Sequence, residues 1–320
     1  MDLRIEKIDR GKMLLASDDI RKSVGDLNAW IRHLVYHQTC QSVAPVAPVD
    51  PGSDTPAERL TTTGFHQISS DLDDADIGTL TGVIDDALGD AKTEGEPGKE
   101  LHAVDWTPER RQIVAGLLGK MITPEVRQML EGYFGTHFRI LSLNMARLFP
   151  LDFNPVSFQW HRDMEPAQQT HLMVYLTDGT IDAGSTSFMS LDDSRRAAEN
   201  GYGFPNAAQR TASIEDLSER SGHELTAHSP EIQKGDIMAF AATRVLHKGN
   251  VPKTGHRDVI TLLVLPSPIP WDEYFQAWPD VFVQNHPGLA GIEPFEGTRL
   301  NDTGEREVPP WAILTDMMPS

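Results

Sequence analysis

The chain has 320 residues, and its 28 Lys and Arg residues against 47 Asp and Glu residues give a formal net charge of −19. A surface this acidic repels a phosphate backbone, and no Lys/Arg run is long enough to form a basic patch, so no nucleic-acid partner is expected. The single cysteine, Cys40, excludes an internal disulfide and a cysteine-based zinc finger. The longest apolar stretches are far shorter than the roughly 18–20 residues of a membrane helix, and the first residues lack the apolar core of a signal peptide. We therefore expect a cytoplasmic protein with no membrane contact.

The acidity is uneven along the chain. Between Asp71 and Glu100, ten acidic residues and two lysines give a net charge of −8. The spacing lacks the glycine and the terminal glutamate of a calcium-binding loop. We interpret this segment as a solvated helix followed by a loop, so the net charge is chiefly a matter of solubility.

The first part of the chain predicts helices. Residues 24–38 place apolar side chains at helical spacing, which indicates an amphipathic helix, and the Pro-rich residues 43–52 indicate a loop. Thr107-Pro and Thr123-Pro each combine an N-cap with a proline at the first helical position, which predicts two helices over about 107–134. We expect residues 1–138 to form a helical N-terminal region, with Pro-rich and acidic loops, that packs on the remainder.

After Gly135 the pattern changes to short runs of aliphatic, β-branched and aromatic residues separated by Asp, Gly, Asn and Pro. The predicted strands are Arg139–Phe149, Val156–Trp160, His171–Thr177, Ser185–Ser190, Ile237–Ala241 and Arg257–Leu265. This pattern is typical of an all-β sandwich or barrel, here over residues 139–266. A polar insertion, about 191–232, is interpreted either as a cover over the open face or as a surface loop. Residues 267–320 are expected to form a C-terminal extension, in which residues 270–278 predict a helix with one apolar face. The N-terminal region, the β-rich region and this extension are expected to form one structural domain.

The strongest chemical signal is a His-x-Asp motif, His161-Arg-Asp163, at the end of a predicted strand. Residues i and i+2 of a strand share a face, so this imidazole and this carboxylate can be adjacent ligands of a metal ion. His247, which follows another predicted strand, is the candidate third ligand, with His256 as its rival. Two His and one carboxylate with open positions suit non-haem Fe(II), although zinc accepts the same atoms. His171 is interpreted as a packed core histidine rather than a ligand.

Further candidates surround this motif. Arg257 opens the last predicted strand and shares a face with Thr261, so together they can hold a carboxylate through charge-assisted hydrogen bonds. Gln159 and Asn144 lie on faces of small or polar residues, where each is either a contact of a bound co-substrate or an ordinary strand residue. Arg147 is interpreted as a surface charge.

Another arginine, Arg244, is a lesser candidate for an anionic group of a substrate. It comes three residues before His247 in the sequence.

His161-x-Asp163, His247 and Arg257, in this order and spacing, resemble the Fe(II)/2-oxoglutarate-dependent dioxygenases. The segment from His247 to Arg257 resembles most the phytanoyl-CoA dioxygenase-like branch, and so does Gly184-Ser-Thr-Ser-Phe. Where that branch continues with Pro-Gly-Ser-His, this chain has Met189-Ser-Leu-Asp-Asp. The resemblance covers about residues 139–266.

The resemblance implies a mainly β fold with flanking helices, whose core is a double-stranded β-helix of the jelly-roll, cupin-like type. It implies that His161, Asp163 and His247 bind Fe(II), that Arg257 anchors 2-oxoglutarate, and that O2 is the oxidant. Oxidative decarboxylation would yield succinate, CO2 and a ferryl species that hydroxylates a small metabolite such as an amino acid or a natural-product intermediate. The alternatives are the same ferryl chemistry leading to desaturation, ring closure or epoxidation, and a non-catalytic metal-binding β-barrel. The sequence leaves a homodimer open.

Overall fold

The computed structural model describes residues 27–47, 49–50, 52–96, 98–163, 168–284, 299–300 and 306–307. The start of the first predicted helix, at residue 24, and most of the predicted C-terminal extension lie outside the described residues. The helices are α1 (Leu27–Val43), α2 (Pro56–Thr63), α3 (Asp74–Leu88), α4 (Pro108–Met121), α5 (Pro124–Phe134), α6 (Leu191–Glu199), α7 (Ile214–Ser221) and α8 (Trp271–Ala277). The strands are β1 (Phe65–Ser69), β2 (His102–Ala103), β3 (His137–Leu148), β4 (Thr170–Tyr175), β5 (Ser187–Met189), β6 (Ala227–His228), β7 (Asp236–Phe240), β8 (His247–Lys248), β9 (Arg257–Ser267), β10 (Arg299–Leu300) and β11 (Arg306–Glu307).

Helices α4 and α5 begin where the sequence places their capping residues. The side chains of Thr107 and Thr123 accept hydrogen bonds from the main-chain N–H groups of Arg110 and Val126, and a proline follows each threonine. These bonds satisfy N–H groups that have no partner within the first helical turn. The two helices predicted over about 107–134 are thereby confirmed.

The core strands are divided between two antiparallel sheets. The larger sheet has the strand order β1-β7-β4-β9-β3-β2, and the smaller has the order β6-β5-β8. The chain alternates between them from β3 onward, since the segment at His161 bridges to His247 in β8 before β4 returns to the larger sheet. Side chains from both sheets, including Phe188, Met173 and Phe240, pack into one apolar cluster between them. This arrangement is a double-stranded β-helix, which confirms the predicted fold class of a mainly β core with flanking helices.

Strand β9 shows how the two faces of the larger sheet differ. Ile260, Leu262 and Val264 face outward into a large apolar core shared with helices α3, α4 and α5. By alternation Arg257 and Thr261 face inward, toward the smaller sheet. The outer face therefore stabilises the fold, and the inner face is available to a site.

The N-terminal region adds strands as well as helices. Strand β1 pairs with β7 over five residues, and β2 pairs with β3 at Arg147 and Ala146. Both strands are short and lie at the edges of the larger sheet, which explains why no periodic pattern predicts them.

One predicted strand is wrong. Residues 156–158 form a 3-10 helix rather than a strand, because Pro155 starts a turn that the Gln159 N–H closes on the Val156 carbonyl. Strand pairing begins only at His161.

The insertion between β5 and β7 is folded. Helices α6 and α7 pack Ala197 and Leu217 into an apolar cluster with Trp160 of the core. The main-chain N–H of Trp160 donates to the carbonyl of Thr211 (2.8 Å), and the hydroxyl of Tyr202 donates to the carbonyl of Trp160 (2.8 Å). The insertion is thus tied to the residue that precedes His161.

The acidic segment is tied to the rest of the chain by ion pairs, so it is more than a solvated helix. Three pairs join α3 to other elements: Asp76–Lys120 (2.5 Å), Asp86–Arg110 (2.9 Å) and Asp74–Lys234 (2.7 Å). Each pair has at least one side chain largely exposed to solvent, which screens the attraction, so each contributes little to stability.

Arg147, interpreted from the sequence as a surface charge, is buried, and that prediction is wrong. Its guanidinium donates from Nε and Nη2 to the two carboxylate oxygens of Asp258 (2.7 and 2.6 Å), and from Nη1 to Asp85 (2.8 Å). As the strand alternation predicts, Arg147 faces away from the space between the two sheets, but α3 and the residues after it cover that outer face.

In the described part of the chain, no helix has both the length and the apolar character needed to cross a membrane.

Candidate metal centre

The His-x-Asp motif and the distal histidine meet at the edge of the smaller sheet. His161 and His247 are directly opposite each other in antiparallel register, and each N–H donates to the carbonyl of the other (3.0 and 2.9 Å). The N–H of Asp163 donates to the carbonyl of Ala242 (3.0 Å), just beyond β7. Backbone hydrogen bonds therefore fix the relative positions of all three residues.

The three side chains converge on one point. Oδ1 of Asp163 lies 3.6 Å from Nε2 of His161 and 3.9 Å from Nε2 of His247, and one ligand atom from each residue lies within 4.8 Å of the other two. Nδ1 of His161 is 2.7 Å from the carbonyl of Gln159, and Nδ1 of His247 is 3.1 Å from the carbonyl of Val245. Each Nδ1 therefore carries the hydrogen and donates it, which leaves the lone pair of each Nε2 directed at the carboxylate.

Burial keeps both imidazoles neutral. Burial, together with the neighbouring His247, lowers the pKa of His161 from its usual value to about 3. Burial also lowers the pKa of His247, against the opposing effect of Asp163. Neutral imidazoles are the form that binds a metal ion, so the site does not have to lose protons near neutral pH before binding.

This burial has a consequence for stability at low pH. A histidine in the unfolded chain has a pKa near 6.5, so above about pH 6.5 His161 is neutral in both states and contributes no pH dependence. Below that pH only the unfolded state binds the proton, and the free energy of unfolding falls by about 1.4 kcal/mol per pH unit toward pH 3 for this one group. Urea unfolding of chelator-treated protein at several pH values between 7.5 and 5 should give a shallower decline for His161→Gln. The same change at the exposed His223 is the matched control; equal slopes for wild type and His161→Gln would contradict the assignment.

Arg257 is buried on the inner face of β9. One of its Nη atoms donates to the carbonyl of Gly184, and its Nε is buried with no hydrogen-bond partner among the residues that the structure describes. Among the described residues no carboxylate forms an ion pair with it, and burial lowers its pKa. Gly184 has a positive φ of 91°, and a Cβ there would lie 2.9 Å from the carbonyl oxygen of Asn250, so glycine is required in the turn that contacts this arginine. A buried guanidinium with an unused N–H is a ready partner for a ligand carboxylate.

The other predicted contacts are placed differently. Thr261 is buried on the inner face with Arg257, directly opposite Asn144 of β3. The side-chain amide of Asn144 donates to the carbonyls of Val283 (3.3 Å) and Gln284 (2.5 Å), so it binds the C-terminal segment. Gln159 contributes through its main-chain carbonyl, which accepts the bond from His161.

No protein-family model matches the chain, and no curated protein sequence matches it. Several crystal structures are similar to it. One is AviO1 from Streptomyces viridochromogenes Tue57 (14% identity, 70% of this chain and 99% of that chain, TM-score 0.44). Another is EctD from S. alaskensis in its apoform (17% identity, 78% and 91%, TM-score 0.46). A third is HygX from Streptomyces hygroscopicus with nickel and 2-oxoglutarate bound (15% identity, 66% and 86%, TM-score 0.41).

Two residues near the triad were not assigned to it from the sequence. His171 brings Nε2 to 3.3 Å from Oδ2 of Asp163. Arg210, in the insertion, donates to the carbonyls of Pro205 and Val156 (3.3 Å each), and its charge lowers the pKa of both His161 and His247. No local signal marks either one, because their proximity depends on how β4 and the insertion pack.

Arg244, by contrast, contacts helix α5. Its guanidinium donates to the hydroxyl of Tyr133 in α5 (3.3 Å).

Proposed function

We propose that this chain is an Fe(II)- and 2-oxoglutarate-dependent oxygenase that hydroxylates a small metabolite. The observation that carries the proposal is the presence of two chemically distinct features in the double-stranded β-helix, one from each sheet. The first is a two-histidine, one-carboxylate cluster within reach of a single ion. The second is a buried arginine with an unused N–H.

The donor set of the triad fits Fe(II). His161, His247 and Asp163 would hold the ion through two imidazole nitrogens and one carboxylate oxygen, and the bonds from each Nδ1 to a carbonyl fix both rings for this task. Such a set leaves the remaining positions of the ion open for a co-substrate and for O2.

Arg257 fits the distal carboxylate of 2-oxoglutarate. A guanidinium presents parallel N–H donors that match a carboxylate, and the bond to Gly184 holds it in orientation. The apolar cluster that includes Phe240 and Val259 lies beside it and excludes water, so the charge–charge attraction is stronger than at the surface.

When bound, Fe(II) with 2-oxoglutarate and O2 supplies the oxidising power, and one oxygen atom goes to the substrate while the other goes to succinate as CO2 is released. The chain's own residues orient the co-substrate, keep the imidazoles neutral and exclude bulk water. We expect a small-molecule substrate such as an amino acid or a natural-product intermediate.

Anaerobic addition of Fe(II) and 2-oxoglutarate tests this function. Chelation of the ion by the co-substrate should produce a weak visible charge-transfer band that His161→Ala lacks. Succinate release with candidate metabolites under air then distinguishes an oxygenase from a metal-binding barrel without activity. The absence of the band, or its persistence in His161→Ala, would contradict the proposal.

Replacing Arg257 should weaken the binding of 2-oxoglutarate without removing the metal. Hydrogen bonds to charged groups contribute about 1.5–3 kcal/mol, so Arg257→Gln should raise the KM for 2-oxoglutarate by about 10- to 150-fold. The matched control is Arg244→Gln, because Arg244 contacts Tyr133 outside the site. An unchanged KM in Arg257→Gln, with Fe(II) affinity and thermal stability retained, would place the co-substrate elsewhere.

A further inference from the structure

His171 lies on the inner face of β4, between two other strands of the larger sheet. Its register partners are Phe240 in β7 and Leu263 in β9. The imidazole ring lies 5.0 Å from the ring of Phe240, which packs in turn against the ring of His247 at 4.9 Å. Close packing against neighbours on both sides restricts the movement of a side chain on a central strand.

The two oxygens of Asp163 have different neighbours. Oδ1 is the atom nearest to Nε2 of His161 and Nε2 of His247, at 3.6 and 3.9 Å. Oδ2 instead lies 3.3 Å from Nε2 of His171. The carboxylate thus stands between the two sheets, with one oxygen toward the proposed metal position and the other toward the larger sheet.

We propose that His171 is a positioning residue that donates its Nε2 hydrogen to Oδ2 of Asp163, so that Oδ1 alone is presented to the metal ion. The inference rests on the proposed metal site. Nε2 of His171 and Oδ2 of Asp163 are 3.3 Å apart, so a shift of a few tenths of an ångström brings them to the usual hydrogen-bond distance of about 2.9–3.0 Å.

Whether Asp163 binds through one oxygen or two determines how many coordination positions of the metal ion stay open to other ligands. A six-coordinate ion held by two imidazole nitrogens and a single oxygen keeps three positions for exogenous ligands. If Asp163 bound through both oxygens, it would occupy one of those three. A donor fixed on Oδ2 disfavours that mode, and it also fixes the direction of Oδ1. Outer partners of this kind typically change metal affinity by about 10- to 100-fold.

Cobalt(II) provides a test that does not depend on the unknown substrate. Competition with a chromophoric chelator gives Co(II) affinity, and the visible spectrum of the Co(II) protein reports the coordination of the ion. His171→Leu should lower the affinity by about 10- to 100-fold and change the spectrum. His171→Gln should restore both, because its amide nitrogen is the same number of bonds from Cβ as Nε2. The matched control is Ser142→Ala, which changes the inner-face residue on the other side of Leu263 from His171.

The outcomes separate this inference from the proposed function. If His161→Ala loses Co(II) while His171→Leu keeps wild-type affinity and spectrum, the metal site stands and the positioning role is wrong. If His171→Gln is as weak as His171→Leu, a hydrogen-bond donor at this position does not account for the effect, and the proposal is overturned. If His161→Ala itself retains Co(II), the proposed function fails first.

Discussion

His247→Ala is expected to abolish succinate formation and to lower the affinity for Fe(II) by more than the roughly 100-fold that the loss of an outer partner causes. The change removes one of three ligands and leaves a single imidazole and a single carboxylate, which no longer form a facial set. Chelator competition with Fe(II) and a stopped assay for succinate measure both effects.

The matched control is another histidine of the same segment. His256, the rival third ligand in the sequence, lies at the surface side of β9, with Nε2 3.7 Å from Asp258 and its ring 6.1 Å from that of Phe149. His256→Ala should keep Fe(II) affinity and turnover. Because His247 is buried against Phe240, thermal unfolding must show that His247→Ala is still folded. A folded His247→Ala protein with wild-type affinity, or a His256→Ala protein without it, would reverse the assignment.

The core strands could be predicted because each carries a local signal. Alternating apolar residues bounded by turn residues predict β4, β7 and β9, and the i, i+2 spacing of His161 and Asp163 predicts their shared direction. The residues also indicated His247 as a third ligand and Arg257 as a partner for a carboxylate, and the resemblance to a known family added the expectation that the ion is Fe(II) and the carboxylate that of 2-oxoglutarate. These signals are local in sequence, so they can be recognised without knowing how the helices and sheets pack together.

The features that could not be predicted from the sequence depend on which helix or strand covers which face of a sheet. Alternation turns Arg147 away from the inner face, but it does not reveal that an acidic helix will cover the residue and bury it. In the same way the strand period places His171 inside the barrel, yet only the meeting of two sheets brings it to Asp163. The pairing of β1 with β7 joins residues about 170 positions apart, and a five-residue edge strand contains too few alternations to predict it.

Arg147→Met is expected to lower the free energy of unfolding by about 3–5 kcal/mol, because it leaves a buried charge without its partner. The carboxylate of Asp258 is fully buried, and Arg147 makes two parallel hydrogen bonds to it. The same guanidinium holds Asp85 of α3, so the change also loosens the acidic segment from the sheet. Because Asp258 immediately follows Arg257, the loss of the ion pair also affects the end of β9 at which the co-substrate is proposed to bind.

A double-mutant cycle separates the pair from the rest of the packing. Asp258→Asn in the Arg147→Met background removes the uncompensated charge, so the double variant should be more stable than Arg147→Met alone, which strict additivity of two destabilising changes does not allow. The matched control is Arg59→Met, which breaks an exposed bidentate pair with Asp54 and should destabilise the protein much less than Arg147→Met, because solvent screens the exposed pair. Urea unfolding at pH 7.5 is measured for the wild type, Arg147→Met, Asp258→Asn, the double variant and the Arg59→Met control. If Arg147→Met were no more destabilising than Arg59→Met, the buried ion pair between Arg147 and Asp258 would not be a stabilising part of the core.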